Sequence, residues 1–264
     1  MSVKIHPTAI IEDGASLGNN VEIGAYSTIG SDVTLGDNVI IKPHVHIEGI
    51  TSIGEGSKIF PFASIGTPPQ DLKFSGEKSK LIIGKNNTIR EHVTMNPGTK
   101  HGAMETVIGD NCLFMMASHV AHDCIIGNNV IMANNATLAG HVQVGDFVVL
   151  GGLSAVHQFI RIGNHAIIGG MSGVESDVIP YGRVKGERAF LAGLNLIGLE
   201  RSGIEKKEIK QLQRAFNQLF ANNGTLDQRI EAISSDFSND NLIMSIIEFA
   251  RAKTKFPLCQ PRKK

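Results

Sequence analysis

An aliphatic residue returns at every sixth position along most of the chain. The first register runs through Ile5, Ile11, Leu17, Ile23, Ile29, Leu35, Ile41, Ile47, Ile53, Ile59 and Ile65. The position after it is often glycine (Gly18, Gly24, Gly30, Gly36, Gly54, Gly66), and the fifth position of the unit is usually small or β-branched (Ala9, Ala15, Val21, Ser27, Val33). A period of six fits neither a helix nor a plain alternating strand, so each unit is predicted to be a short strand plus a turn. Repetition on this scale predicts a solenoid. One inward residue in six closes economically into a three-sided prism, with one hexad per side and about eighteen residues per turn. Each inward side chain then stacks on its counterpart one turn later.

The register has two interruptions. Between Gly66 and Leu81 stands TPPQDLKFSGEKSK, polar and proline-containing, which predicts an excursion loop near 67–81. Hexads resume at Ile83, Ile89 and Met95, break again near 101–106, and then run from Ile108 to Val174. Pro180 ends them, which places a β-solenoid domain at 1–180. The remainder, 181–264, reads as a C-terminal helical domain. Phe190, Leu191, Leu194 and Ile197 suit a first short helix, and Ile209, Leu212, Phe216 and Leu219 a second that ends at Gly224. Thr225 with Gln228 forms a capping box for a third, and Ile243, Ile246, Ile247 and Ala250 make a fourth amphipathic face. The final PLCQPRKK reads as frayed. Such a tail serves as a cap over the last coil, as terminal repeats require.

Composition narrows the function classes. With 264 residues and 42% hydrophobic positions the chain can build a substantial core. Lys plus Arg and Asp plus Glu are 25 each, so no global field favours nucleic acid or an anionic membrane. No window approaches the roughly 18 apolar residues of a membrane span, and MSVKIHPTAI has no signal-peptide texture, so a cytoplasmic location is expected. Cys112, Cys124 and Cys259 are odd in number and lack CxxC spacing, so they are expected as buried small hydrophobes.

The chemistry concentrates between Ser118 and Gln158, where four histidines interrupt the repeat. Applying the turn length, His122, Gly140 and Gln158 should form one column and Asp123, His141 and Phe159 another. His157 follows Ala121 and Ala139, and His119 lies above Thr137. Near neutral pH an imidazole can take a proton from a hydroxyl, which makes His122 the candidate general base. Asp123 can orient it, provided the local turn overcomes the opposite facing of adjacent strand residues. Gly140 offers either a bare amide for a developing oxyanion or simply a turn. No GxSxG is present, so direct transfer without a covalent intermediate is expected. The remaining histidines, His6, His44, His46, His92, His101 and His165, read as solvated or hydrogen-bonded.

QDLK at Gln70 to Lys73, HVAHD at His119 to Asp123, NNATLAGHV at Asn134 to Val142 and AVHQF at Ala155 to Phe159 resemble the UDP-N-acetylglucosamine O-acyltransferases, hexapeptide-repeat transferases of lipid A biosynthesis. The resemblance implies a left-handed parallel β-helix, whereas the general rule for parallel crossovers would give a right hand. It implies transfer of a 3-hydroxyacyl chain from acyl carrier protein to the 3-hydroxyl of UDP-N-acetylglucosamine, in a homotrimer, with no cofactor and no metal. It assigns His122 as general base and the Gly140 amide to the thioester oxyanion. Gln70, Asp71 and Lys73 become substrate-contacting loop residues, and His119, His141, His157 and Gln158 pocket residues. Asn195 and Arg201 fall where the family recognises nucleotide. Ser202 and Ile197 depart from its usual arginine and glutamate. On a continuous helix Ser202 would share a face with Asn195 and Arg201 would turn away. Gly170 matches the position governing acyl length, and a glycine there implies a long chain.

Other readings stay open at this point. A related N-acyltransferase would carry a uridine-binding domain ahead of its hexads, which here begin at Ile5. A small-molecule acetyltransferase fits the prism but not the tail and QDLK loop together. A carbonic-anhydrase-like zinc enzyme could draw on His119, His122 and His141, yet two ligands five residues apart are missing. A scaffold leaves the His122 column unexplained. Because carrier proteins are acidic, Arg161, Lys206, Lys207 and Lys210 are candidate docking charges.

Overall fold

The computed structural model describes residues 3–252 and 254–262. The hexads form short strands, mostly of two residues, that stack into three sheets of eleven, nine and eight strands. In the first sheet the register passes from Ile5 to Ile23, Ile41, Ile59, Ile89, Phe114, Met132, Leu150 and Ile168. Every pairing among these strands is parallel, giving a left-handed parallel β-helix. The stacked aliphatics are the core: from Ile23 onward the inward chain of each turn is almost fully buried. Burying one such side chain stabilises by roughly 1.5–3 kcal/mol. Because each coil touches chiefly its neighbours, those contributions accumulate along the axis.

The corners explain the polar half of the repeat. Among the described residues twenty non-glycine positions adopt left-handed φ, including Asn20, Asn38, Asp123 and His141, and none of them is β-branched. Branching at Cβ makes that conformation costly, which keeps valine, isoleucine and threonine out of the left-handed positions. At one corner Tyr26, His44, Phe62 and His92 stack ring upon ring with centroids 5.1–5.3 Å apart. His165 is similarly held between Phe147 and Tyr181. Three of the isolated histidines therefore serve aromatic ladders.

Both interruptions loop out without breaking the ladder. Ile53 pairs with Ile83 and Ile83 with Ile108, so the chain returns in register after each excursion. Asn96 Nδ2 donates to Thr67 O at 3.0 Å, pinning the first loop at its root.

After Pro180 the structure departs from the expected helix at Phe190. Strand Gly182–Lys185 extends the first sheet in parallel, and strand Phe190–Leu194 turns back antiparallel beside it. The open edge of the last coil supplies the hydrogen-bonding partners. Gly193, at φ 122°, is incompatible with a helix there. Among the described residues four helices follow: α1 (Leu196–Arg201), α2 (Lys206–Leu219), α3 (Leu226–Asp236) and α4 (Asn241–Arg251). The capping box of α3 forms as expected, Gln228 N donating to Thr225 Oγ1 at 3.2 Å and Thr225 N to Gln228 Oε1 at 2.9 Å. α2 ends at Leu219, before the expected Gly224.

The C-terminal segment is docked and not frayed over its described residues. Asp177, fully buried, donates its N–H to Pro257 O and accepts from Cys259 N. Its carboxylate takes Arg161 N at 2.9 Å and the Arg161 guanidinium at 2.8–2.9 Å, with Thr254 Oγ1 2.8 Å away. Arg161 also lies over the Phe249 ring of α4. Arg161 is thus a structural pin between prism and tail, and its charge is spent there; it is not a free docking cation. Lys263 and Lys264 lie outside the described residues. All three cysteines are free and buried, and burial pushes the Cys112 and Cys259 thiols up to about 11 and Cys124 to about 12.

Candidate active site

The chain leaves strand His119–Val120 at a corner and re-enters a strand at Ile125. Between them Asp123 sits at φ 58°, and this left-handed step brings two successive side chains together where a strand would have parted them. His122 Nδ1 lies 2.8 Å from Asp123 Oδ2. The second excursion loop builds a cradle around the carboxylate. Thr99 N lies 3.1 Å from both oxygens, Thr99 Oγ1 donates at 2.7 Å and Ala103 N at 2.9 Å. A side chain on Gly102 would collide with the same carboxylate. Burial alone raises the Asp123 carboxyl, but the bonds from Thr99 and His122 outweigh it and hold it below its ordinary value. An ionised carboxylate only accepts, so Nδ1 of His122 carries the proton and Nε2 is left as the acceptor.

Gly140 lies one turn on. His141 N donates to His122 O and Phe159 N to Gly140 O, which stacks the columns as the repeat predicts. A Cβ at Gly140 would stand 2.5 Å from His122 Cε1 and 2.6 Å from Nε2, so only glycine leaves room for the imidazole. Among the described residues the Gly140 N–H has no hydrogen-bond partner.

His141 meets His122 edge-on at 5.0 Å and stacks flat on Phe159 at 4.4 Å, while Lys255 Nζ lies 4.1 Å from the Phe159 centroid. Burial lowers the pKa of His141, opposed by the nearby Asp123 carboxylate. His119 Nδ1 lies 2.7 Å from Thr94 Oγ1, and burial, then the neighbouring His122, lower its pKa. His157 and Gln158 are exposed, His157 standing edge-on to Phe256. In the first excursion loop Gln70 and Lys73 are exposed and Asp71 is half-buried. The charge of Asp71 reaches His141. Gly170 faces outward below Gly152, where a Cβ would meet Gly152 O at 3.2 Å.

His122, Asp123 and His141 also bring potential metal-ligating atoms within 4.8 Å of one another. This is a different trio from the one the sequence suggested, since His119 turns to Thr94. The Asp123 oxygens are already engaged by Thr99, Ala103 and His122, so the cluster suits a positioned base better than an ion.

The column does not include Asn195 and Arg201. Asn195 is not on α1 but is its N-cap, its Oδ1 accepting Gly198 N at 3.1 Å and its Nδ2 donating to His165 O at 3.0 Å. The expectation that Ser202 faces with Asn195 therefore fails, because that geometry needs a continuous helix. Ser202 Oγ bonds back to Gly198 O, whereas Arg201 lines a cavity of about 590 Å³ with Asn195, Ile197 and Arg183 on the outer side of the first sheet.

Sequence reasoning missed Thr99, Ala103, Lys255 and Arg183, whereas the stacking of His141 on Phe159 follows from the repeat. The break near 101–106, one turn before Asp123, was the available signal for the first two. The tail gave none for Lys255, which reaches the column through tertiary docking.

Family profiles match the chain twice. Residues 177–258 match the profile described as Udp N-acetylglucosamine O-acyltransferase, Domain 2, and residues 14–49 and 105–140 match that of the bacterial transferase hexapeptide (six repeats). The chain is 58% identical over 255 residues, 97% of each chain, to the acyl-(acyl-carrier-protein)–UDP-N-acetylglucosamine O-acyltransferase of Rickettsia canadensis. A solved UDP-N-acetylglucosamine acyltransferase is 41% identical with a TM-score of 0.95, over 98% of this chain and 100% of that one. The UDP-N-acetylglucosamine acyltransferase from Campylobacter jejuni is 42% identical with a TM-score of 0.92, over the same shares of the two chains.

Proposed function

Since the chain belongs to the UDP-N-acetylglucosamine O-acyltransferase family, we propose that it moves a 3-hydroxyacyl chain from acyl carrier protein to the sugar 3-hydroxyl of UDP-N-acetylglucosamine, a step of lipid A biosynthesis. The observation that carries the mechanism is the His122 ring, tethered to Asp123 at 2.8 Å and seated against Gly140. Nε2 of His122 takes the proton of the 3-hydroxyl as its oxygen attacks the thioester carbonyl. The unpartnered Gly140 N–H meets the oxyanion of the tetrahedral intermediate. Collapse breaks the carbon–sulfur bond, and the departing thiolate takes back the proton from His122. Asp123 stays ionised throughout, holding the tautomer and favouring the transient imidazolium.

Gln70, Asp71, Lys73, His119, His141, His157 and Gln158 shape the substrate pocket around this base, and Gly170 leaves the acyl groove open. A homotrimer in the cytoplasm completes the reading; the prism's first sheet runs on past 180 to Leu194, and the helices begin at Leu196. Among the described residues no helix is long and apolar enough to cross a membrane. The first sheet supports self-association: its outward row is apolar at Leu113 and Ile131, ahead of the cavity that Val149 and Ile167 line, where a solvated face would be polar. Lys206, Lys207 and Lys210 remain candidates for docking an acidic carrier protein.

The test is an acyl-transfer assay with UDP-N-acetylglucosamine and a panel of 3-hydroxyacyl carrier proteins, comparing wild type with His122→Ala. Loss of a general base costs ~100-fold to ~10,000-fold in rate. Near-wild-type turnover by His122→Ala would remove the mechanism.

A further inference from the structure

The outward apolar row of the first sheet ends on a cation. Val149 pairs with Ile167 and Ile167 with Arg183, and on this face the side chains project away from the core. Val184, the inward neighbour, is buried while Arg183 is exposed. On its other side Arg183 is paired with Gly193, which has no side chain to crowd the guanidinium. The N-cap Asn195 and helix α1 complete the lining, with Ile197 63% exposed and Arg201 beside it in the same cavity. The cavity so enclosed, about 590 Å³, has an aliphatic floor and two arginines. Neither arginine makes an ion pair among the described residues. Ser202 offers no charge and is turned back onto Gly198 O.

An apolar floor with two unpaired guanidiniums is the chemistry of a ligand with a flat, weakly polar body and adjacent phosphates. The volume lies in the range of small-molecule sites. We infer that Arg183 is a specificity-determining residue that, with Arg201, holds the diphosphate of the nucleotide-sugar acceptor, so that the second cation comes from the sheet and not from α1. The inference rests on the reading of this chain as an acyltransferase acting on UDP-N-acetylglucosamine. The rigid strand pre-orients the Arg183 fork, and bidentate bonding to phosphate oxygens gives it more than charge attraction alone.

The experiment compares wild type, Arg183→Met, Arg183→Gln, Arg183→Lys and His122→Ala. Calorimetry with UDP and with uridine as separate probes reports binding, and steady-state kinetics report KM for acceptor and donor. Removing the Arg183 charge should weaken UDP binding and raise the acceptor KM about tenfold or more, given the strength of charge-assisted hydrogen bonds. Uridine affinity and donor KM should stay as in wild type. Arg183→Lys should fall between, because it keeps the charge and loses the fork. Unchanged UDP affinity in both Arg183→Met and Arg183→Gln overturns the proposal, as does a rise confined to the donor KM, which would place the carrier's phosphopantetheine phosphate here instead. His122→Ala separates the two readings. If it abolishes turnover while the Arg183 variants bind UDP normally, only this inference fails; if it turns over normally, the base assignment fails whatever Arg183 does.

Discussion

Adding one methyl group at Gly140 should disable the proposed base, His122, without replacing any titratable residue. A Cβ there would lie 2.5 Å from His122 Cε1, 2.6 Å from Nε2 and 3.1 Å from Nδ1. Carbon contacts settle near 3.5–4.0 Å, so the ring must retreat by about 1 Å. His122 Nδ1 is held at 2.8 Å from Asp123, and Asp123 is itself fixed by Thr99 and Ala103. Stretching that bond by about an ångström passes the limit of a hydrogen bond, so tautomer and direction of Nε2 are both lost. Misplacement on this scale costs on the order of 100-fold, and complete loss of the base up to ~10,000-fold. Gly140→Ala should therefore lower kcat by two to four orders of magnitude, on those same estimates, while the stacked inward core that holds the prism is left unchanged. The assay is acyl transfer at saturating acceptor and donor, with a thermal melt to show that the prism is intact. A folded Gly140→Ala enzyme with kcat within about threefold of wild type would refute the close packing of ring on backbone and the role derived from it.

Three further outcomes follow from the same geometry. Gly170→Met should fill the groove below Gly152 and shift donor preference toward shorter 3-hydroxyacyl chains in competition assays; an unchanged preference would sink the ruler role. Asp177→Ala should cost about 3–5 kcal/mol in urea unfolding, because it leaves the Arg161 guanidinium unpaired between prism and α4; a loss below about 1 kcal/mol would show the pin to be dispensable. His119, His141 and His165 all have pKa values lowered by burial from 6.5. Just below pH 6.5 the unfolded chain binds more protons than the native one, so stability is full above that value and is lost as pH falls through the folded pKa values. Melting temperature should accordingly drop between pH 7.5 and pH 5.5, and a flat profile would contradict the burial of these rings.

The divide between what could be read and what could not follows the range of the interactions. The hexad register settled the three-sided prism, the identity of the inward stacks and the columns His122–Gly140 and His141–Phe159, because each depends only on counting along a repeat whose period the core imposes. The thirty-residue steps from Ile53 to Ile83 and from Ile65 to Met95 show the limit of loop effects on that register: chain can be inserted without changing which side chains face in. The helix expected from Phe190 failed because an open sheet edge overrode local texture, and Gly193 could satisfy the strand but not the helix. The His122–Asp123 contact needed the left-handed φ of Asp123 and a cradle from Thr99 and Ala103, two elements joined only by folding. Arg161 looked like a free cation until a buried Asp177 claimed it, and Arg183 carried no motif until strand and helix met around it. Sequence by itself determined the periodic scaffold and the column in which His122 stands, since inward packing writes a regular signal into the chain. Tertiary structure alone decided which charges are spent and which stay free, since pairing depends on residues distant in sequence that only docking brings within a few ångströms.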